Sequence, residues 1–155
     1  MKPLLLLMGK SGSGKDFISQ LFNSKNVISH TTREPREGEV NGVSKWFETK
    51  DSMDDLMIQQ VLAYTEIEGN VYCATIKDVE DKDVYIIDPA GVEFFKGQAE
   101  IFNYKRPITV LYIYAVWYKR LYRMVRRDGL SKAVKRFWSD RATFKILQYD
   151  YRIKN

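Results

Sequence analysis

Leu4-Leu5-Leu6-Leu7-Met8-Gly9-Lys10-Ser11-Gly12-Ser13-Gly14-Lys15-Asp16 decides the fold. A short, continuous apolar run that stops at glycine reads as a strand buried on both faces. The glycines that follow fit the spacing G-x-x-x-x-G-K, and Phe17, Ile18, Leu21 and Phe22 continue at helical spacing. Strand, glycine-rich loop and helix in that order form the context of a phosphate-binding loop. Glycine lets the backbone wrap closely around phosphate, and the amides opening the helix supply positive potential. Gly9, Ser11, Gly12, Ser13, Gly14, Lys15 and Asp16 are therefore the expected nucleotide-binding set, with Lys15 reaching the β- and γ-phosphates. Asp16 stands where the pattern has Ser or Thr, whose hydroxyl holds Mg²⁺. Two readings of it stand side by side: an oxygen ligand for Mg²⁺, or an acid that favours a helix start.

Outward from this loop, strand and helix signals alternate. Helices are expected over 15–23, 51–60 (with Asp51 or Ser52 as cap), 91–96, 117–127 and 131–148, and strands over 27–29, 61–67, 71–74, 84–87, 108–115 and 149–154. The turn Gly69-Asn70 separates two of the strands, and 31–44 is polar loop or hairpin. The alternation predicts a three-layer α/β fold around a central, mostly parallel sheet. A length of 155 residues suits one domain, 1–155.

Composition narrows the function classes. Hydrophobic residues make up 45% and charged residues 29%, as in ordinary globular proteins. Cys73 is the single cysteine, which excludes an internal disulfide and fits a reducing cytoplasm. The apolar start is too short to span a bilayer and leads straight into the glycine loop, so neither a membrane anchor nor a leader is expected. The net charge of +5 is carried largely by 119–145. Charge alone supports nucleic-acid binding, so none is expected, and phosphate-rich small molecules are the sharper partner.

Arg33 and Arg36, three apart and held by Pro35, form a fork suited to a dianionic phosphate. Their segment, Ser29-His30-Thr31-Thr32-Arg33-Glu34-Pro35-Arg36-Glu37-Gly38-Glu39-Val40-Asn41-Gly42, resembles the acceptor-binding stretch S-x-T-T-R-x-P-R-x-G-E-x-x-G of guanylate kinases. Glu68-Gly69-Asn70-Val71-Tyr72 is similar to that family's G-N-x-Y-G, Val84-Tyr85-Ile86-Ile87-Asp88 with Gly91 to its strand ending in D-x-Q-G, and Tyr149-Asp150-Tyr151-Arg152-Ile153-Lys154-Asn155 to Y-D-Y-x-I-x-N. The resemblance runs nearly the whole chain and stops before the helix that follows in guanylate kinases.

The resemblance implies a P-loop kinase with an acceptor-binding insertion at about 30–80 and a helical lid at about 117–140. It implies ATP as donor, Mg²⁺ as cofactor and a nucleoside monophosphate as acceptor, GMP or dGMP first, in a monomer or homodimer. Ser29, Arg33, Arg36, Tyr72 and Asp88 inherit acceptor roles. Lys45 replaces a phosphate-binding tyrosine and can bind phosphate as a point charge. Arg120 to Gly129, followed by Arg136 and Arg141, resembles the lid; Arg123, Arg127 and Arg136 join Lys15 as the expected catalytic cations, with Arg126 and Arg141 as the nearest substitutes. The glutamate that reads guanine falls at Ala63 and a small hydroxyl contact at Ala74. Those departures leave room for another base preference, or for ribose 1,5-bisphosphate as acceptor, since relatives with that activity carry G-S-G-K-D as Gly12 to Asp16 do. A catalytically inactive guanylate-kinase-like binding module is the reading from another class; intact Gly9, Gly14 and Lys15 oppose it.

Overall fold

A computed structural model describes residues 2–22, 25–145 and 147–155. The apolar run at the start forms β1 (Leu4–Met8). It lies inside a four-stranded parallel sheet between β6 (Val84–Ile86) and β7 (Ile108–Tyr114), with β8 (Tyr151–Lys154) on the far side of β7. The two faces of β1 bury different partners, as the period of two requires. Leu4, Leu6 and Met8 pack with Val110, Tyr112, Val92 and Phe95, whereas Leu7 packs with Val84, Leu111 and Ile113 and touches Ile18. Helix α4 (Pro89–Ile101) supplies Val92 and Phe95, and helix α1 (Lys15–Leu21) supplies Ile18. Helices thus cover both faces, giving the three-layer α/β arrangement expected of a P-loop fold. Burying each such leucine or phenylalanine contributes about 1.5–3 kcal/mol.

A second sheet of four strands rises from the first, in the order β3 (Trp46–Phe47), β2 (His30–Thr31), β5 (Asn70–Thr75), β4 (Val61–Ile67). Only β2 and β3 are parallel. Leu62, Ala63 and Ala74 of this sheet enter the same apolar cluster as Leu4 and Phe95, so one core joins both sheets. Helix α2 (Lys50–Met57) and the short α3 (Ile76–Val79) flank it. Helices α5 (Trp117–Asp128) and α6 (Leu130–Thr143) pack on each other and hinge at Gly129, whose φ of 82° opens the turn.

Several expected boundaries move. The strand at 27–29 reduces to a bridge from Asn26 to Val84. Helix α4 exceeds 91–96 at both ends: Asp88 caps it by accepting from the Gly91 N–H at 3.0 Å, and Val92, Phe95 and Ala99 bury one face past Gly97. The cap of α2 is Thr49, which accepts from Ser52 N–H at 3.2 Å, so neither Asp51 nor Ser52 starts the helix. The hairpin turn is Glu68-Gly69, both at positive φ (52° and 77°), with Ile67 and Asn70 paired across it. That is the primed two-residue turn that matches strand twist. Helix α6 ends at Thr143, because Phe144 and Leu147 turn in to pack against the core. The expected helices over 15–23 and 131–148 also touched Asn23 and Ile146, which lie outside the described residues.

Candidate active site

The loop between β1 and α1 takes the shape its glycines permit. Gly12 and Gly14 sit at φ of 73° and 89°, where side chains are disfavoured. A Cβ on Gly12 would lie 2.6 Å from the Arg120 carbonyl oxygen, so α5 and the loop are packed backbone to backbone. Lys15 folds over the loop and donates from Nζ to the Gly9 carbonyl at 2.6 Å. Burial pushes this ammonium down from 10.5 to about 8, opposed by Asp16 and Asp140 and reinforced by Arg136 and Arg127. The loop's carbonyls already serve protein donors: Asn155 Nδ2 reaches Ser13 O at 2.9 Å and Arg123 reaches Gly12 O at 3.1 Å. The Ser13 hydroxyl is buried without a partner, and the exposed Asp16 carboxylate makes no hydrogen bond or salt bridge among the described residues.

The second sheet and its turn carry a further group of cations, within electrostatic reach of the loop. Ser29 is buried and accepts from Lys45 Nζ at 2.7 Å. Burial lowers the Lys45 pKa; Asp16 opposes that shift and Arg33 adds to it, which puts Lys45 within electrostatic reach of both. Arg33 is held by Glu39 at 2.9 Å, by the Glu34 carbonyl at 2.6 Å and over the Phe47 ring. Glu39 also accepts the Arg36 N–H at 2.7 Å, so one carboxylate shapes the whole turn. Burial acts against Glu39's charge, yet these two arginines hold its pKa below the usual range. Arg36 itself makes no salt bridge among the described residues. Its pKa is lowered by burial and then by repulsion from Arg33, Arg127 and Arg136, with Asp128 opposing. Arg36 therefore lies within electrostatic reach of Arg127 on α5 and Arg136 on α6.

Asp88 sits at the end of β6, with one oxygen on the α4 cap and the other accepting from Thr65 Oγ1 at 3.1 Å. Burial raises its pKa against the pull of those hydrogen bonds. Tyr72 lies on β5 opposite Thr31 and Thr65 and makes no side-chain hydrogen bond among the described residues. Ala63 and Ala74, 1% and 0% exposed, face each other across β4 and β5 inside the apolar core. His30 bridges Glu48 at 2.8 Å and Asp78 at 3.4 Å and serves packing, as does the buried Cys73, whose thiol burial pushes up to about 12.

On α5 and α6, the expected lid, Arg136 Nε donates to Ser11 Oγ at 3.0 Å, and Arg127 pairs with its neighbour Asp128 at 2.7 Å. Arg126 and Arg141 stack on Tyr122 and Trp138 of their own helices. Sequence reasoning passed over Arg120 and Asp140, a buried pair at 2.6 Å that holds Ser11 from outside the loop. The only signal was spacing: Arg120 lies four residues before the buried Met124, on the inward face of α5.

Comparison with known proteins bears on family and fold. The family model for guanylate kinase matches residues 1–155. The guanylate kinase of Bacillus subtilis (strain 168) is 38% identical over 95 residues, covering 54% of this chain and 47% of the relative. That of Lactobacillus delbrueckii subsp. bulgaricus is 35% identical over 108 residues, covering 61% and 53%. The chain thus spans about half the length of the curated relatives it matches. In fold it is similar to the crystal structure of guanylate kinase from Anaplasma phagocytophilum, with a TM-score of 0.65 at 23% identity over 99% of this chain and 77% of that one.

Proposed function

Since this chain belongs to the guanylate kinase family, we propose that it transfers the γ-phosphoryl group of ATP to the phosphate of a nucleoside monophosphate, GMP or dGMP first. The observation that carries the reading is the set of cations gathered on the glycine loop: Lys15 on the Gly9 carbonyl at 2.6 Å, Arg123 on the Gly12 carbonyl at 3.1 Å and Arg136 on Ser11 Oγ at 3.0 Å. Cations brought together on such a loop mark the place of a polyanion, here the phosphates of donor and acceptor.

Lys15 and the loop amides hold the donor, and Lys15 keeps its charge there because phosphate oxygens replace the water that burial removes. Arg36, Lys45 and Tyr72 hold the acceptor phosphate, while Arg33 and Glu39 fix the turn that presents Arg36. An acceptor phosphate oxygen attacks the γ-phosphorus in line, the bond to the β-bridging oxygen breaks, and ADP leaves. Arg123, Arg127 and Arg136 offset charge on the equatorial oxygens. The acceptor is already ionised, so no general base is required and no covalent enzyme intermediate forms. Asp16, a carboxylate with no hydrogen bond or salt bridge among the described residues and within electrostatic reach of Lys15, Lys45 and Arg127, fits a hard cation that takes one protein oxygen. Mg²⁺ held there by Asp16 would neutralise part of the charge on the donor's phosphates.

Ala63 and Ala74 favour a second reading. Two methyl groups within the core give a guanine edge nothing to hydrogen-bond, and one lost charge-assisted contact weakens base reading by about 1.5–3 kcal/mol. Without those polar contacts, another base, or a sugar phosphate such as ribose 1,5-bisphosphate, becomes the second acceptor reading. A coupled ADP-release assay with MgATP and GMP, dGMP, AMP, dAMP, CMP, UMP, dTMP and ribose 1,5-bisphosphate separates the readings. Turnover with GMP or dGMP is expected. Turnover with another acceptor only would move the specificity, and none with any of them, from folded protein that binds ATP, would leave a binding module.

A further inference from the structure

Ser11 is expected to touch nucleotide, yet each of its polar groups is engaged from the lid side. Its N–H donates to Asp140 Oδ2 at 2.8 Å, and its carbonyl accepts from Arg120 Nε at 2.9 Å. Its hydroxyl lies between Asp140 Oδ1 at 3.0 Å and Arg136 Nε at 3.0 Å. The polarity of that last pair is fixed by chemistry. A carboxylate only accepts and a guanidinium only donates, so the hydroxyl gives its one proton to Asp140 and accepts from Arg136.

Arg136 and Asp140 are one turn apart on α6, where opposite charges ordinarily pair directly. No direct ion pair between them forms among the described residues; Ser11 Oγ intervenes. Asp140 is free of Arg136 because Arg120 claims it at 2.6 Å, itself held over the Phe137 ring. Arg120 and Asp140 are 6% and 8% exposed. A buried ion pair contributes little net stability, so what it brings here is a fixed carboxylate. With Nε committed to Ser11, both terminal nitrogens of Arg136 are without a partner among the described residues and form a two-pronged donor suited to phosphate.

We infer that Ser11 and Asp140 are positioning residues that set the Arg136 guanidinium, with Nε anchored to the loop and its two terminal nitrogens presented to the γ-phosphate of the donor. Loop and lid are then one unit, and the side chain of Ser11 acts on the arginine instead of on the phosphates. The inference rests on the kinase reading above, and a binding measurement can separate the two.

The test compares affinities for ADP and for the non-hydrolysable β,γ-imido analogue of ATP, by calorimetry, in wild type, Ser11→Ala, Ser11→Thr, Arg136→Ala and the Ser11→Ala/Arg136→Ala double variant. Ser11→Ala keeps the main-chain bond to Asp140 and is the conservative probe. It should lower the preference for the analogue over ADP by about fivefold to tenfold, the worth of one oriented hydrogen bond, while leaving ADP affinity within about twofold. Ser11→Thr should restore the preference. In the Arg136→Ala background the same change should have no further effect. Asp140→Asn should repeat the Ser11→Ala result if circular dichroism shows it folded. Equal loss of both affinities, or an equal cost with and without Arg136, would overturn the inference and leave the kinase reading intact. A wild-type protein that binds neither nucleotide would overturn both.

Discussion

Lys15 is the residue on which most of the proposed chemistry converges, and its environment gives it a signature of its own. Burial holds its pKa near 8 against an ordinary 10.5. Between those values the unfolded chain binds a proton that the folded chain lacks, so folding stability must rise with pH there. The melting temperature of the nucleotide-free protein should therefore climb between pH 8 and 10 more than that of Lys15→Met; parallel curves would mean that the ammonium is not desolvated. On the proposed kinase reading, the same variant should lower kcat by at least about a hundredfold, since it would remove the cation assigned to the transferring phosphate. Lys15 and the loop glycines were legible because a local spacing encodes them. Arg120 and Asp140 were not, because no sequence rule connects an arginine to an acid 20 residues away across two helices. Ser11 shows the limit from the other side: the loop pattern points to phosphate, and the fold turns its polar groups to the lid.

At the level of elements, α4 shows how packing overrides local preference. Gly97 interrupts an otherwise good helix, yet Phe95 and Ala99 on either side of it are buried, and that burial carries the helix to Ile101. An added Cβ at Gly97 meets nothing within 4 Å and its φ is not positive. Gly97→Ala should therefore stabilise the protein by about 0.5–1 kcal/mol, read as a higher denaturant midpoint at unchanged m-value. Gly12→Ala should do the reverse, because its Cβ would run into the α5 backbone and its φ is left-handed. The acceptor sheet has its own electrostatic pin. His30 on β2 bridges Glu48, next to the α2 cap, and Asp78, in the first turn of α3. Burial alone would lower its pKa, but the two carboxylates outweigh that and raise it. The bridge therefore contributes fully below the unfolded value of 6.5 and is lost as pH rises through the higher folded value. Wild type should lose stability relative to His30→Gln on going from pH 6 to pH 8, and an unchanged difference would show that the imidazole stays neutral.

Across the whole molecule, the three parts of the site belong to three pieces of chain that meet only in the fold: the loop after β1, the turn before β3 and the helices α5 and α6. Their family motifs were readable one by one, but their mutual distances were not, since those depend on α4 joining the two sheets and on Arg120 tying α5 to the loop. The like charges of the turn and of α5 and α6 oppose one another: after burial, Arg33, Arg127 and Arg136 lower the Arg36 pKa. A ligand reaching all three should relieve that repulsion in one step, whereas a mononucleotide relieves part of it. Binding to the native state alone stabilises by RT ln(1 + [L]/Kd), so thermal shifts report the difference. Adenosine and guanosine joined through five phosphates should raise the melting temperature more than the ATP analogue and GMP supplied together at the same concentration, because the second site is filled at high effective concentration. Arg36→Ala should bring that shift down to the value for the ATP analogue alone. If the joined ligand does no better than the ATP analogue in wild type, the acceptor side is closed to guanosine, in keeping with the absence of polar side chains at Ala63 and Ala74. Repeating the scan with the uridine and thymidine counterparts would then find a base that the acceptor side admits.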